Sequence, residues 1–311
     1  MLNRHPHFWP YFALAAVCVL WGTTYLGIRM ALESFPPALL MGTRYFLSGG
    51  ILLIAARLRG ARIPRGRELW TTALTGLVII GGGTGALAFA ETWIPSGLAA
   101  LFITASPFWM VGIEALWPGG ERLRGPVIGG ICVGLAGTAM LVSHSASALA
   151  GRGSVIAAFL LLQGGCASWA LGSIAHRRQS AGAHPVVSGA IQQLATGIAY
   201  LIPSLWILGP HVRWSARGAG AVIYLVCFGS ILGYSAYAYA LSSLPVAIVS
   251  IYPFVNPVIA VFLGWLIYRE PFGWHEALAM AVIFAGVAIV KKYGHGMPAA
   301  MLSDAEEPSA A

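Results

Sequence analysis

Residues 69–90, LWTTALTGLVIIGGGTGALAFA, contain no Asp, Glu, Lys or Arg, and a carboxylate closes them at each end, Glu68 and Glu91. A run of this length is what a helix needs to cross the ~30 Å hydrocarbon core of a bilayer. Its apolar residues are continuous. A membrane barrel strand would instead alternate polar and apolar positions over about ten residues, so the run reads as a helix. Residues 92–113, TWIPSGLAALFITASPFWMVGI, and 153–175, GSVIAAFLLLQGGCASWALGSIA, are equally free of charge. The stretch from Gly218 to Tyr268 is too long for one crossing, and Ser242-Ser243-Leu244-Pro245 is where it must turn.

Working outward from these runs, charges and turn residues divide the chain into spans near 11–32, 37–57, 69–90, 95–117, 125–143, 153–175, 185–208, 218–240, 245–268 and 273–291. The predicted fold is an all-α membrane protein of ten transmembrane helices. Composition agrees: 58% of residues are hydrophobic, only 9% are charged, and the mean hydropathy is +0.77. A soluble domain carries about a quarter charged residues to face water. The basic residues fall between apolar runs and form no stripe, so they read as topology signals rather than a nucleic-acid surface. With a cytoplasmic N-terminus, Arg4, the cluster from Arg57 to Arg67, Arg122, Arg124, Arg177, Arg178, Lys291 and Lys292 lie inside. Arg29, Arg152, Arg213, Arg217 and Arg269 lie outside. That excess places both termini in the cytoplasm, with a disordered tail over 293–311. The first apolar stretch lacks a small-residue cleavage site and reads as a span, not a signal peptide. Cys18, Cys132, Cys166 and Cys227 all sit in apolar runs without CxxC spacing, which indicates neither a disulfide framework nor a metal site.

The two halves are related. At an offset of 148, Cys18 and Trp21 meet Cys166 and Trp169, and Arg29 meets Arg177. At 150, Ala86, Ala88, Ala90, Pro95 and Pro107 meet Ala236, Ala238, Ala240, Pro245 and Pro257 without a gap. Glu121 then pairs with Glu270, and Ala136-Gly137 with Ala285-Gly286. Two repeats follow, 11–143 and 153–291, of five spans each. Five is odd, so the second copy crosses the membrane in the opposite sense. Two inverted copies can exchange conformations around a shared midplane cavity and open it to each side in turn.

Several local patterns carry a family resemblance. They are Trp21-Gly22-Thr23-Thr24-Tyr25 with Arg29, Glu33-Ser34-Phe35-Pro36-Pro37 and Arg44, and Ala90-Glu91 with Pro95-Ser96-Gly97-Leu98-Ala99-Ala100. Asn256-Pro257-Val258 through Glu270 to Gly286 closes the set. The chain from about Tyr11 to Lys292 resembles the drug/metabolite transporter superfamily, specifically its EamA-type members with tandem five-helix repeats, and among them the YedA-like exporters. The resemblance implies transport of amino acids, metabolites or drugs, often outward, across a bacterial inner membrane.

Candidate site residues follow from the cost of polarity in lipid. Arg44 sits inside the second span, where a charge costs roughly 2.5–3.5 kcal/mol on insertion scales, so it should face protein or water. Its expected role is an anion anchor or ion pair in the cavity, against the alternative of snorkelling to the headgroups. Glu91 ends the third span on the same side and could meet Arg44 in one conformational state, as part of a gate or proton-linked site. Gln192 holds the repeat position of Arg44 and Leu241 that of Glu91. Pro107 and Pro257, preceded by Ser106 and Asn256, should break the fourth and ninth spans at matching depths and free backbone carbonyls there. Trp21, Tyr25, Trp169, Tyr237 and Tyr239 offer an aromatic lining, while the other tryptophans suit interfacial belts. Glu114, Glu121 and Glu270 read as structural.

A membrane enzyme acting on a lipid-linked substrate is the rival class. It needs carboxylate or His clusters for a metal, and no span holds paired carboxylates. No GxxxxGK[ST] loop is present, so ATP is not the direct energy source. The expected partners are a small-molecule substrate, the lipid bilayer and protons as coupling ion, with no cofactor, metal or nucleic acid, as a monomer or homodimer.

Overall fold

The computed structural model describes residues 8–118, 125–148, 152–178, 184–207, 212–244, 252–270 and 272–293. Within them every regular element is helical. The first helix, α1, is Phe8–Leu32; α2 is Pro37–Leu58; α3 is Arg67–Ala90; α4 is Ser96–Leu116. Then come α5, Gly125–Ala148; α6, Arg152–Arg178; and α7, Pro185–Ile207. Helix α8 starts at Ala216 and ends at Ser243, α9 runs from Tyr252 to Tyr268, and α10 is Trp274–Tyr293. Seven of these carry stretches long and apolar enough to cross a membrane, and three shorter apolar helices, Gly125–Met140, Val255–Tyr268 and Trp274–Val290, accompany them. The chain is a multi-pass membrane protein. Glu121, Pro245 and residues 294–311 of the expected tail lie outside the described residues.

Helix limits have local causes. Pro36 and Pro37 open α2, where a missing N–H costs nothing. Gly60 and Gly66, both with positive φ, carry the chain out of α2 and into α3. Helix α4 breaks at Thr104–Ala105, immediately before Ser106-Pro107, because the proline ring cannot sit against an intact preceding turn. Pro257, by contrast, lies inside the unbroken stretch Tyr252–Leu263 of α9, so the break expected there is absent: the proline falls within the first two turns, close to the helix start, and the helix runs on past it. The middles of α3 and α8 are π-helical, over Leu77–Thr84 and Leu225–Leu232, positions that match across the repeat within two residues. A π segment bonds each N–H five residues back and widens the turn, a device concentrated at functional sites.

The outer surface is apolar, as lipid requires: Leu58 is 82% exposed, Trp206 88% and Trp274 73%. Inside, Ile28, Met41, Ile80, Phe102, Leu162 and Ile283 are fully buried. Helix pairing follows one rule. Helix α2 packs along α7 and α5 along α10; α1 meets α8 and α9, as α6 meets α3 and α4; α2 touches α8, as α7 touches α3. Each of these contacts recurs when every helix is replaced by the one five places away, whereas smaller ones, such as α5 with α6 and α1 with α4, are not matched to the same extent. The α2/α7 contact brings backbone to backbone: a Cβ on Gly49 would lie 2.8 Å from the Ala190 carbonyl. Such approach maximises dispersion where apolar burial gives helices no drive to associate.

Candidate functional site

Three helices present one face each to a common interior. Trp21, Thr24, Tyr25 and Ile28 of α1 do so, as do Ile80, Gly83, Thr84 and Leu87 of α3 and Leu162, Gly165, Cys166 and Trp169 of α6. Each set has the i, i+3, i+4, i+7 spacing of a single helical stripe. Arg44 and Tyr45 of α2, Ile103 and Ser106 at the break in α4, Gly229, Ser230 and Tyr234 of α8, and Tyr252, Pro253 and Asn256 of α9 complete the lining. The cavity they line measures about 110 Å³, is partly open, and draws on both repeats.

Trp21 and Trp169, the repeat-related tryptophans, meet edge to face at 6.1 Å. Trp21 also stands edge-on to Tyr252 at 5.0 Å, packs on Tyr237 at 5.0 Å, and donates from Nε1 to the Gly229 carbonyl at 3.0 Å. That carbonyl belongs to the π segment of α8. The π segment of α3 is served in the same way, with Ser168 donating to the Val78 carbonyl and Tyr200 to that of Gly81. A Cβ on Gly83 would press on Trp169 at 2.9 Å and one on Gly233 on Trp21 Nε1 at 2.6 Å, so the two indoles approach the backbone of opposite π segments.

Arg44 does not snorkel. It is 4% exposed, its Nε donates to Ser230 Oγ at 2.8 Å, and its guanidinium lies over the Tyr45 ring at 4.8 Å. Its Nη1 is buried with no hydrogen-bond partner. Glu91 is 0% exposed and its two carboxylate oxygens are likewise without a partner, while its backbone carbonyl accepts from Arg29 Nη1 at 2.6 Å. The two side chains form no ion pair in this conformation, and Glu91 does not line the cavity.

The other expected residues separate by face. Tyr25, Trp169 and Asn256 line the cavity. With its amide nitrogen so turned, Asn256 donates to the carbonyls of Cys18 and Tyr252, each at 3.0 Å. Tyr237 packs behind Trp21, and Gln192, 1% exposed, accepts from Tyr234 and donates to Thr75 outside the cavity. Pro107 follows the lining residue Ser106, Pro257 follows Asn256, and Tyr239 is 46% exposed on the outer surface. Tyr45, Tyr234, Tyr252 and Ser230 belong to the site and were not foreseen.

Outside the cavity lining, polar contacts also join the two repeats at one end of the helices. Glu270 accepts from Ser96 N at 3.0 Å, Ser96 Oγ at 2.9 Å and Gly97 N at 2.9 Å, placing a carboxylate on the N-terminus of the first segment of α4. At the same end Glu33 pairs with Arg217 at 3.7 Å and accepts from the Tyr268 hydroxyl, and Ser34 meets Ser215 at 2.7 Å. The register of Glu121 with Glu270 was the available sign that this glutamate matters. Elsewhere Arg178 bridges Glu114 at 2.7 Å and the Pro118 carbonyl at 2.9 Å.

A helical membrane protein with an aromatic, cation-bearing cavity between two related halves is organised as a solute carrier. The chain belongs to the EamA-like transporter family, whose pattern matches it twice, over residues 8–143 and 156–291, and it is a transporter. It is 37% identical over 283 residues to the "Uncharacterized inner membrane transporter YedA" of Escherichia coli strain K12, covering 89% of each chain. It is 25% identical to the "Probable terminal-alkyne amino-acid exporter" of Streptantibioticus cattleyicolor, covering 90% of this chain and 92% of that one. It is also 25% identical to the "Probable amino-acid metabolite efflux pump" of Salmonella typhimurium strain LT2, covering 89% and 93%. A solved crystal structure shares the fold with a TM-score of 0.64 at 23% identity, covering 90% of this chain and 96% of the other.

Proposed function

We propose that this transporter exports small organic solutes across the inner membrane by alternating access. The seven long helices and three shorter apolar ones act as ten spans, five in each of the repeats 11–143 and 153–291. The observation that carries the reading is the cavity lined from both repeats, with Trp21 and Trp169 meeting in it and Arg44 buried beside it. The double family match and the exchange of the most extensive helix contacts by five places support two copies related by a two-fold axis. An odd number of spans per copy makes that axis lie in the membrane plane, with both termini cytoplasmic. Export agrees with the names of the relatives from Streptantibioticus and Salmonella, and the inner membrane with that of YedA.

In this scheme Glu270 and its neighbours latch the outer end. Release of that latch, with closure at the inner end, passes the solute outward. Arg44 holds the solute. Glu91, a buried carboxyl with unmatched oxygens, is the group through which protons enter the cycle. Flux of a metabolite panel through inside-out vesicles tests this: the wild type accumulates one class of solute and Arg44→Gln does not. Equal flux in vesicles lacking the protein, for every solute and in both directions, contradicts it.

A further inference from the structure

The cavity has an uneven charge inventory. Arg44 is the one charged side chain among its described lining residues. A guanidinium offers five N–H donors in a fixed fork, and here only Nε has a partner among the described residues, Ser230. Nη1 is buried with none. The buried Glu91 carboxyl lies within electrostatic reach but makes no ion pair with Arg44, and a buried guanidinium with no directly bound anion is costly unless something completes it. The backbone of Gly229 packs closely on the fork and holds it in place: a Cβ there would lie 2.9 Å from Arg44 Nη2 and 2.8 Å from Thr24 Cγ2. A planar carboxylate is the group that matches such a fork.

The rest of the lining decides what the carboxylate is attached to. Trp21, Trp169, Tyr25, Tyr252, Ile80 and Leu162 are aromatic or aliphatic. The cavity holds about 110 Å³ and is partly open, so the body of the solute is no larger than a single ring or a short chain. No Asp or Glu among the described residues lines the cavity to pair an ammonium group, and an ammonium would sit beside Arg44 as a like charge.

We propose that the solute is a small apolar or aromatic monocarboxylate without a free amine, seated by its carboxylate on Arg44. This rests on the transporter reading of the same cavity but narrows it away from zwitterionic amino acids. The test titrates purified full-length protein in lipid nanodiscs with three probes that share one ring: phenylacetate, phenylalanine and phenethylamine. Quenching of the cavity tryptophans and isothermal calorimetry report binding. Phenylacetate should bind at least roughly tenfold tighter than phenylalanine, and phenethylamine not at all. Arg44→Gln should weaken phenylacetate binding on the order of a hundredfold, with Arg44→Lys intermediate. The ranking of the three probes is read on the wild type, so the proposal stands or falls even if the variants misfold. Phenylalanine binding as tightly as phenylacetate, or phenethylamine binding best, overturns it. Binding of none of the three also overturns it. In each of these cases the transport reading is judged separately, by vesicle flux of the metabolite panel.

Discussion

Arg44 shows how one residue sets the terms for a site. Its bond to Ser230 joins α2 of the first repeat to the π segment of α8 in the second, so the cation belongs to the interface and not to one helix. Gly229 beside it is constrained by space: Gly229→Ala would push a methyl against Nη2 and Thr24. Overpacking of this kind costs about 1–3 kcal/mol, so initial transport rates should fall roughly tenfold while expression and helix content hold. Glu91 makes a separate prediction. Glu91→Gln keeps the shape and removes the titrating proton, so transport that varies with pH in the wild type should become flat across the neutral range. An unchanged pH profile would remove Glu91 from the cycle. The two tyrosines chosen from the sequence, Tyr237 and Tyr239, could not both have faced inward. Two positions on a helix are about 200° apart, and the structure turns Tyr234 and Tyr237 to the interior and Tyr239 outward. Hydroxyl and tyrosine side chains in lipid helices carry no marker of the face they occupy. For that reason Ser230, Tyr234 and Tyr252 were not legible, whereas a lone arginine in an apolar run was.

At the scale of helices, continuous apolar runs made the elements legible almost to their ends. The expected 37–57 is Pro37–Leu58, and 185–208 is Pro185–Ile207. Proline made the break in α4 legible as well. The π segments were not, because the difference between four and five residues per hydrogen-bonded turn depends on which side chains reach the freed carbonyls from other helices. The Glu270 latch was hidden for a related reason: it joins residues 174 positions apart. Three charge-assisted hydrogen bonds to a helix N-terminus hold it, each contributing about 1.5–3 kcal/mol where solvent is excluded. Glu270→Ala should therefore loosen the outer end. Cys166 lines the cavity and is buried, so it is a native reporter. With the other three cysteines replaced by alanine, a small impermeant thiol reagent applied from outside should label Cys166 several-fold faster in Glu270→Ala than in its parent. Equal labelling would make the latch a passive contact.

At the scale of the whole molecule, the proposed alternating access draws on the repeat. Two copies of one unit pack as α2 on α7 and α5 on α10, with the main contacts of α1 with α8 and α9 repeated by α6 with α3 and α4, an arrangement that under the proposed alternating access lets each end adopt what the other now holds. The repeat was visible in the register of Trp21 with Trp169 and Pro107 with Pro257, because residues of low abundance in apolar helices resist chance alignment. What the two equivalent tryptophans do, meeting edge to face inside the cavity, required the fold.

The claim on which the account depends is that the two copies lie opposite ways up. In a cysteine-free background, Arg62→Cys in the loop between α2 and α3 and Arg213→Cys in the loop before α8 occupy corresponding connections of the two copies, and both native side chains are exposed. An impermeant maleimide added to intact cells should label residue 213 at once and residue 62 only after the membrane is opened. Labelling of both from the same side would contradict inverted repeats and, with them, alternating access around a shared cavity.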